Sequence, residues 1–135
     1  MLKQFTNSNW LKGIKRELKL SEEQRSVLIG TILGDGYLRL SRSGKASRLQ
    51  ICHCISAKDY VWWKSKIFSN WIFSEPKFVK ANKSIRFTTI SHSELLEFYS
   101  TFYINRTKII PMNISEILTE SLSLAVWFMD DGNGY

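Results

Sequence analysis

The chain has 135 residues, with 19 Lys and Arg against 12 Asp and Glu (formal net charge +7), and 44% of it is hydrophobic. That excludes wholesale disorder and fits one domain, or one domain and the start of another. Two cysteines exclude a disulfide framework, and no apolar run reaches the roughly 18–20 residues of a membrane span, so a reducing intracellular compartment (bacterial cytoplasm or an organelle) and no membrane partner are expected.

Residues 1–20 read as an N-terminal extension without a signal-peptide apolar core. Ser21 to Leu33 reads as a helix. Ser21 is a good N-cap, and Glu22 and Glu23 sit where the helix dipole favours negative charge. Val27, Leu28, Ile29, Ile32 and Leu33 predict burial on more than one side. Gly30 and Gly34, four apart on one face, predict another backbone coming close there. Asp35-Gly36 follows.

Tyr37 to Arg42 alternates, with Leu38 and Leu40 opposite Tyr37, Arg39 and Ser41, and predicts a half-buried strand. Ser41 to Lys45 is a hairpin turn carrying Arg42 and Lys45. A second strand spans Arg48 to Ile55, placing His53 on the apolar face and Arg48 and Gln50 on the other. Lys58 to Trp71 has helical spacing, and Trp62, Trp63 and Trp71 read as core. Lys77 to Lys80 is a third strand, Ala81 to Lys83 a turn, and Ser84 to Ile90 a fourth strand presenting Arg86 and Thr88. Ser91 or Ser93 caps a third helix through Phe102. Lys108 to Pro111 is a linker, followed by a helical turn at Ser115–Leu118 and an apolar helix from Ser121 to Met129 that ends in Asp130-Asp131-Gly132. The fold class is α+β: a four-stranded antiparallel sheet with helices on one face and a bare polar face on the other.

The positive charge is concentrated. Residues 36–90 hold eleven basic side chains against two acidic, a net of +9, while residues 91–135 hold two against six, a net of −4. A basic middle segment on a bare sheet implies a polyanion, most often nucleic acid. Zinc at Cys52 and Cys54 is rejected, because a site needs about four ligands and only His53 and His92 remain to complete one.

Leu28 to Gly36 and Leu124 to Gly132 have one shape: an apolar helix of equal length ending in Asp-Gly, with Asp35 and Asp131 at equivalent places 96 residues apart. A single Asp-Gly is an ordinary helix stop. Two at equivalent places beside a basic sheet imply two copies of one unit, with both carboxylates emerging together. Close carboxylates repel unless a cation lies between them, and Mg²⁺, a hard ion with oxygen ligands, fits.

These two stretches resemble the paired motifs of LAGLIDADG homing endonucleases of the tandem, intron-encoded type. The resemblance covers Glu22 to Tyr135, and the element order is similar to the family's αββαββα unit. It implies a site-specific, Mg²⁺-dependent DNA endonuclease with Asp35 and Asp131 as catalytic metal ligands and Lys108, before Ile109-Ile110-Pro111, as a third catalytic residue that organises solvent or stabilises charge. It implies double-stranded DNA on the sheet, held by Tyr37, Arg39, Arg42, Lys45, Arg48, Gln50, Lys80, Lys83, Arg86 and Thr88. The domain reading is residues 21–110 as the first unit and 111–135 as linker and second motif helix, the rest of a second unit being absent. A homo-oligomer, or a separate chain carrying the complementary C-terminal half, is therefore expected. The alternative is a non-cutting nucleic-acid binder: an RNA maturase or a degenerate DNA-binding remnant.

Overall fold

The computed structural model describes residues 8–132. Its elements are α1 (Ser8–Glu17), α2 (Glu22–Leu33), β1 (Tyr37–Leu40), β2 (Ser47–Cys54), α3 (Lys58–Ile67), β3 (Lys77–Val79), β4 (Ser84–Thr88), α4 (Ser93–Phe102), β5 (Tyr103–Ile104), β6 (Thr107–Lys108), α5 (Ile114–Ile117) and α6 (Ser121–Gly132). Expectations for residues 1–7 and 133–135 lie outside the described residues.

Ser21 begins α2 with a reciprocal cap. Its hydroxyl accepts the Gln24 N–H at 3.1 Å, and the Gln24 side-chain oxygen accepts the Ser21 N–H at 2.9 Å. Such caps contribute about 1 kcal/mol. The Gln24 amide then donates to the Ile67 carbonyl and to Asn70, tying α2 to the end of α3.

Strand order is β1-β2-β4-β3, all antiparallel. The expected alternation holds. Leu38, Leu49, Ile51, Ile85 and Phe87 are buried together with residues of α2, α3 and α4 in one core. The register puts Tyr37 beside Gln50 and Gln50 beside Thr88, Arg39 beside Arg48, and Arg86 between Cys52 and Lys77, all on the other face.

Several boundaries differ from the sequence reading. The helix expected through Trp71 stops at Ile67, and a 3₁₀ turn covers Ser69–Trp71. This turn buries Trp71 completely, whereas Trp63 is 39% exposed and stacks on Tyr60 instead of joining the core. Strand β3 ends at Val79, so the lysine on the sheet face is Lys77; Lys80 belongs to the following 3₁₀ turn. The cap of α4 is His92, not a serine. Its Nδ1 accepts the Glu94 N–H at 3.0 Å, so Nε2 carries the hydrogen and donates to the Lys15 carbonyl at 2.6 Å. Lys108 lies in a short hairpin, β5–β6, whose two turn residues Asn105 and Arg106 both have positive φ.

Helix α6 lies along α2 with Ser123, Val126 and Asp130 inward. The Ser123 hydroxyl donates to the Ser26 carbonyl at 2.7 Å. A Cβ on Gly30 would collide with the Ser123 carbonyl and Val126, and one on Gly34 with the Asp130 side chain. Alanine at 30 would gain about 1 kcal/mol of helix propensity, yet a backbone carbonyl has little room to give way. Gly30→Ala is therefore expected to lower stability by about 1–3 kcal/mol in denaturant unfolding. A stabilised variant would mean that the two helices do not touch there.

Candidate nucleic-acid interface and metal site

The bare sheet face gathers like charges. Arg39 stands directly opposite Arg48, and Lys77 opposite Arg86. Directly opposed like charges destabilise a sheet, and among the described residues none of these four pairs with a carboxylate. Such an arrangement suits a surface that meets an anion. Tyr37 holds Arg39 in place: its hydroxyl lies 3.0 Å from a guanidinium nitrogen, and the guanidinium carbon lies 5.4 Å from the ring centre. Arg42 and Lys45 are exposed in the β1–β2 turn, and Lys80 and Lys83 in the β3–β4 turn. The register places these turns near opposite ends of β2, so the basic track extends beyond the sheet at both ends. Of the eleven basic residues in positions 36–90, ten are exposed; Lys64 is wholly buried.

Asp35 follows the C-terminal cap of α2, and Asp131 sits in the last turn of α6. Desolvation, then the neighbouring Asp130 carboxylate, raise the Asp35 carboxyl above its usual range; Asp131 pushes the same way, and His53 and Lys108 oppose. The side chain of Asp35 is 46% exposed, so it remains open to a ligand. Asp131 is exposed and accepts the Trp127 indole N–H at 2.8 Å. Lys108 reaches from the β5–β6 hairpin to donate to the Gly34 carbonyl at 3.0 Å and the Gly36 carbonyl at 2.6 Å. Burial draws its ammonium down, and the three aspartates oppose that.

The residue that joins the two helix ends is Asp130, which the sequence reading passed over for its neighbour. It is 1% exposed. One carboxylate oxygen accepts the backbone N–H of Asp35 at 3.0 Å. The other accepts from Lys64 Nζ at 2.8 Å and the Tyr60 hydroxyl at 2.6 Å. Lys64 also lies 4.6 Å from the Tyr60 ring centre. His53 is buried, as the alternation predicts, but its ring approaches Asp35 at 3.8 Å and Asp130 at 3.9 Å. Burial and then Lys64 hold the imidazole below its usual range, so at neutral pH these are contacts of a neutral ring rather than ion pairs. The Tyr60–Lys64 spacing places both on one turn of α3; a lysine four residues after a core tyrosine was the available clue.

Among the described residues no three His, Cys, Asp or Glu side chains gather as a closed metal cage. Mg²⁺ does not need one, since it takes one or two carboxylates and completes its shell with water and phosphate oxygens. An open, all-oxygen pair in which Asp35 is crowded by two other carboxylates fits a hard divalent cation.

The chain is 34% identical to a probable intron-encoded endonuclease of Wickerhamomyces canadensis, over 93% of this chain and 57% of that protein. It is 28% identical to the cytochrome b mRNA maturase bI2 of Debaryomyces hansenii, over 84% of this chain and 47% of the maturase. Its fold is similar to the homing endonuclease I-WcaI bound to its DNA recognition sequence, with a TM-score of 0.83, 29% identity, and coverage of 96% of this chain and 60% of that one. The chain thus spans about half the length of these relatives. The family model described as the LAGLIDADG DNA endonuclease family matches residues 25–135, and the chain belongs to that family.

Proposed function

We propose that this chain forms one DNA-gripping unit and both metal-ligand positions of a homing endonuclease that hydrolyses phosphodiester bonds. The observation that carries the reading is the α2–α6 contact, which brings two acid-bearing helix ends together beside a sheet of opposed arginines and lysine. The sheet face and its two basic turns bind duplex phosphates and set the register of the site. Asp35 and Asp131 would hold the divalent ion, which supplies Lewis-acid charge at the attacked phosphate and the leaving 3′ oxygen. Lys108 commits two of its three N–H donors to the Gly34 and Gly36 carbonyls and keeps a positive charge beside Asp35.

Helix α6 leaves Leu124, Phe128 and Met129 exposed, Phe128 at 71%. An apolar stripe of this kind favours association. A second αββαββα unit is the proposed cover, and sedimentation of the 135 residues alone should find more than monomer. The likeness to a maturase keeps structured RNA as a second ligand of the same basic face, tested by titrating both nucleic acids at one salt concentration.

The defining experiment uses Asp35→Asn and Asp131→Asn. Each should abolish metal-dependent cutting in the presence of a complementary unit while leaving duplex affinity intact, because the positioning charge lies on the sheet. Cutting that survives both changes would sink the reading. Asp35→Asn should also stabilise the protein at neutral pH. A carboxyl whose folded pKa is raised contributes stability while protonated and loses it as pH rises through the folded value, so the ionised form is a cost that Asn removes. The advantage should vanish well below the ordinary carboxylate range, as thermal melts across pH would show.

A further inference from the structure

We infer that Asp130 is a positioning residue for the metal ligand Asp35, acting across the α2–α6 contact through the Asp35 main chain. The inference rests on the metal-dependent reading above and deepens it.

Asp130 occupies, in the second motif, the place that Gly34 occupies in the first. The two meet: with no side chain on Gly34, the Asp130 carboxylate enters the space beside the end of α2. There it takes up the Asp35 N–H at 3.0 Å. That amide lies just beyond the last turn of α2; the Gly34 and Gly36 N–H groups on either side return to α2 carbonyls and Lys108 holds the flanking carbonyls, while the Asp35 N–H between them turns to Asp130. The carboxylate is fixed in turn by Lys64 and Tyr60, both projecting from α3. So Asp35 is located by a chain of contacts running α3, Asp130, Asp35 amide, independent of any bound ion. Since Gly34 has no side chain to play the same part toward Asp131, the device exists on one side of the crossing. Groups that orient a ligand in this way typically govern metal affinity by about 10–100-fold.

Two double variants separate this role from mere stability. Lys64→Met/Asp130→Asn and Lys64→Met/Asp130→Leu both remove the two charges together, so neither leaves a buried lone ion. Asn and Leu share a branched shape, but only Asn keeps a carbonyl to accept the Asp35 N–H. Each is titrated calorimetrically with Ca²⁺ in the presence of duplex DNA, and the Asp35 amide is followed by hydrogen exchange. The Asn variant should keep the Ca²⁺ affinity of the unsubstituted chain and a protected Asp35 amide. The Leu variant should bind Ca²⁺ about tenfold or more weakly, with a fast-exchanging amide, when both variants are titrated well below their melting temperatures. Equal affinity in the two variants overturns the positioning role alone. If the Leu variant does not fold, the Asn variant still decides: a folded Asn variant with a tenfold loss of Ca²⁺ affinity overturns it as well. An unsubstituted chain that binds no Ca²⁺ removes the metal reading itself, and this role with it.

Discussion

Lys64→Met should lower the folding free energy by about 3–5 kcal/mol, a large share of the roughly 5–15 kcal/mol that holds an ordinary domain together. The reason is the neighbour left behind. Lys64 and Asp130 are 0% and 1% exposed, and their 2.8 Å contact is the charge neutralisation each relies on. Methionine replaces the apolar stem of lysine well but leaves the Asp130 carboxylate buried with only the Tyr60 hydroxyl, the Asp35 amide and the His53 ring around it. Removing both charges together avoids that penalty. Lys64→Met/Asp130→Leu should be far more stable than Lys64→Met, because a buried ion pair and an apolar pair of similar volume are often nearly equal. Denaturant unfolding of the two variants tests this. A single variant as stable as the double one would show that water reaches the pair.

Replacing Arg39, Arg48, Lys77 and Arg86 together by alanine should reduce the slope of log affinity against log salt by about 3–4, since each phosphate contact contributes about 0.9. The same four changes should not weaken the fold. Each opposed like-charged pair costs the free protein about 0.2–1 kcal/mol, so the melting temperature should hold or rise. Opposite signs of effect, on binding and on stability, distinguish a binding surface from a structural one. If the variant melts early and keeps its salt slope, these side chains face the core and the strand register is displaced by one residue.

The sheet was legible in the sequence because its alternation is strict: Leu49, Ile51 and His53 face inward while Arg48, Gln50 and Cys52 face outward, and any slip would reverse both sets. The N-cap at Ser21 and the glycines of the α2–α6 contact were legible for similar local reasons. Lys64 was not. Within its helix it reads as one more solvated cation, and the carboxylate that draws it inward lies far along the chain. The Asp130-Asp131 doublet was ambiguous for the opposite reason: motif alignment singles out Asp131, but the gap left by Gly34 admits only the residue facing it. The β5–β6 turn escaped notice because Asn105-Arg106 lacks the glycine that usually marks two consecutive residues at positive φ. His92 as a helix cap depends on the Lys15 carbonyl of α1, which no local pattern reveals.

The separation of 66 positions from Lys64 to Asp130 also bears on the order of events during synthesis. Everything that buries α3 from the sheet side is made before residue 91, so the strands and first helices could collapse early. Until α6 docks, the Lys64 ammonium faces the place that Asp130 will fill. The burial of Lys64 is therefore completed only when α6 packs against it. Its final closure is a late, long-range step, and long-range closures are slow. A chain ending at residue 110 would keep the Lys64 ammonium open to solvent on the side that Asp130 covers.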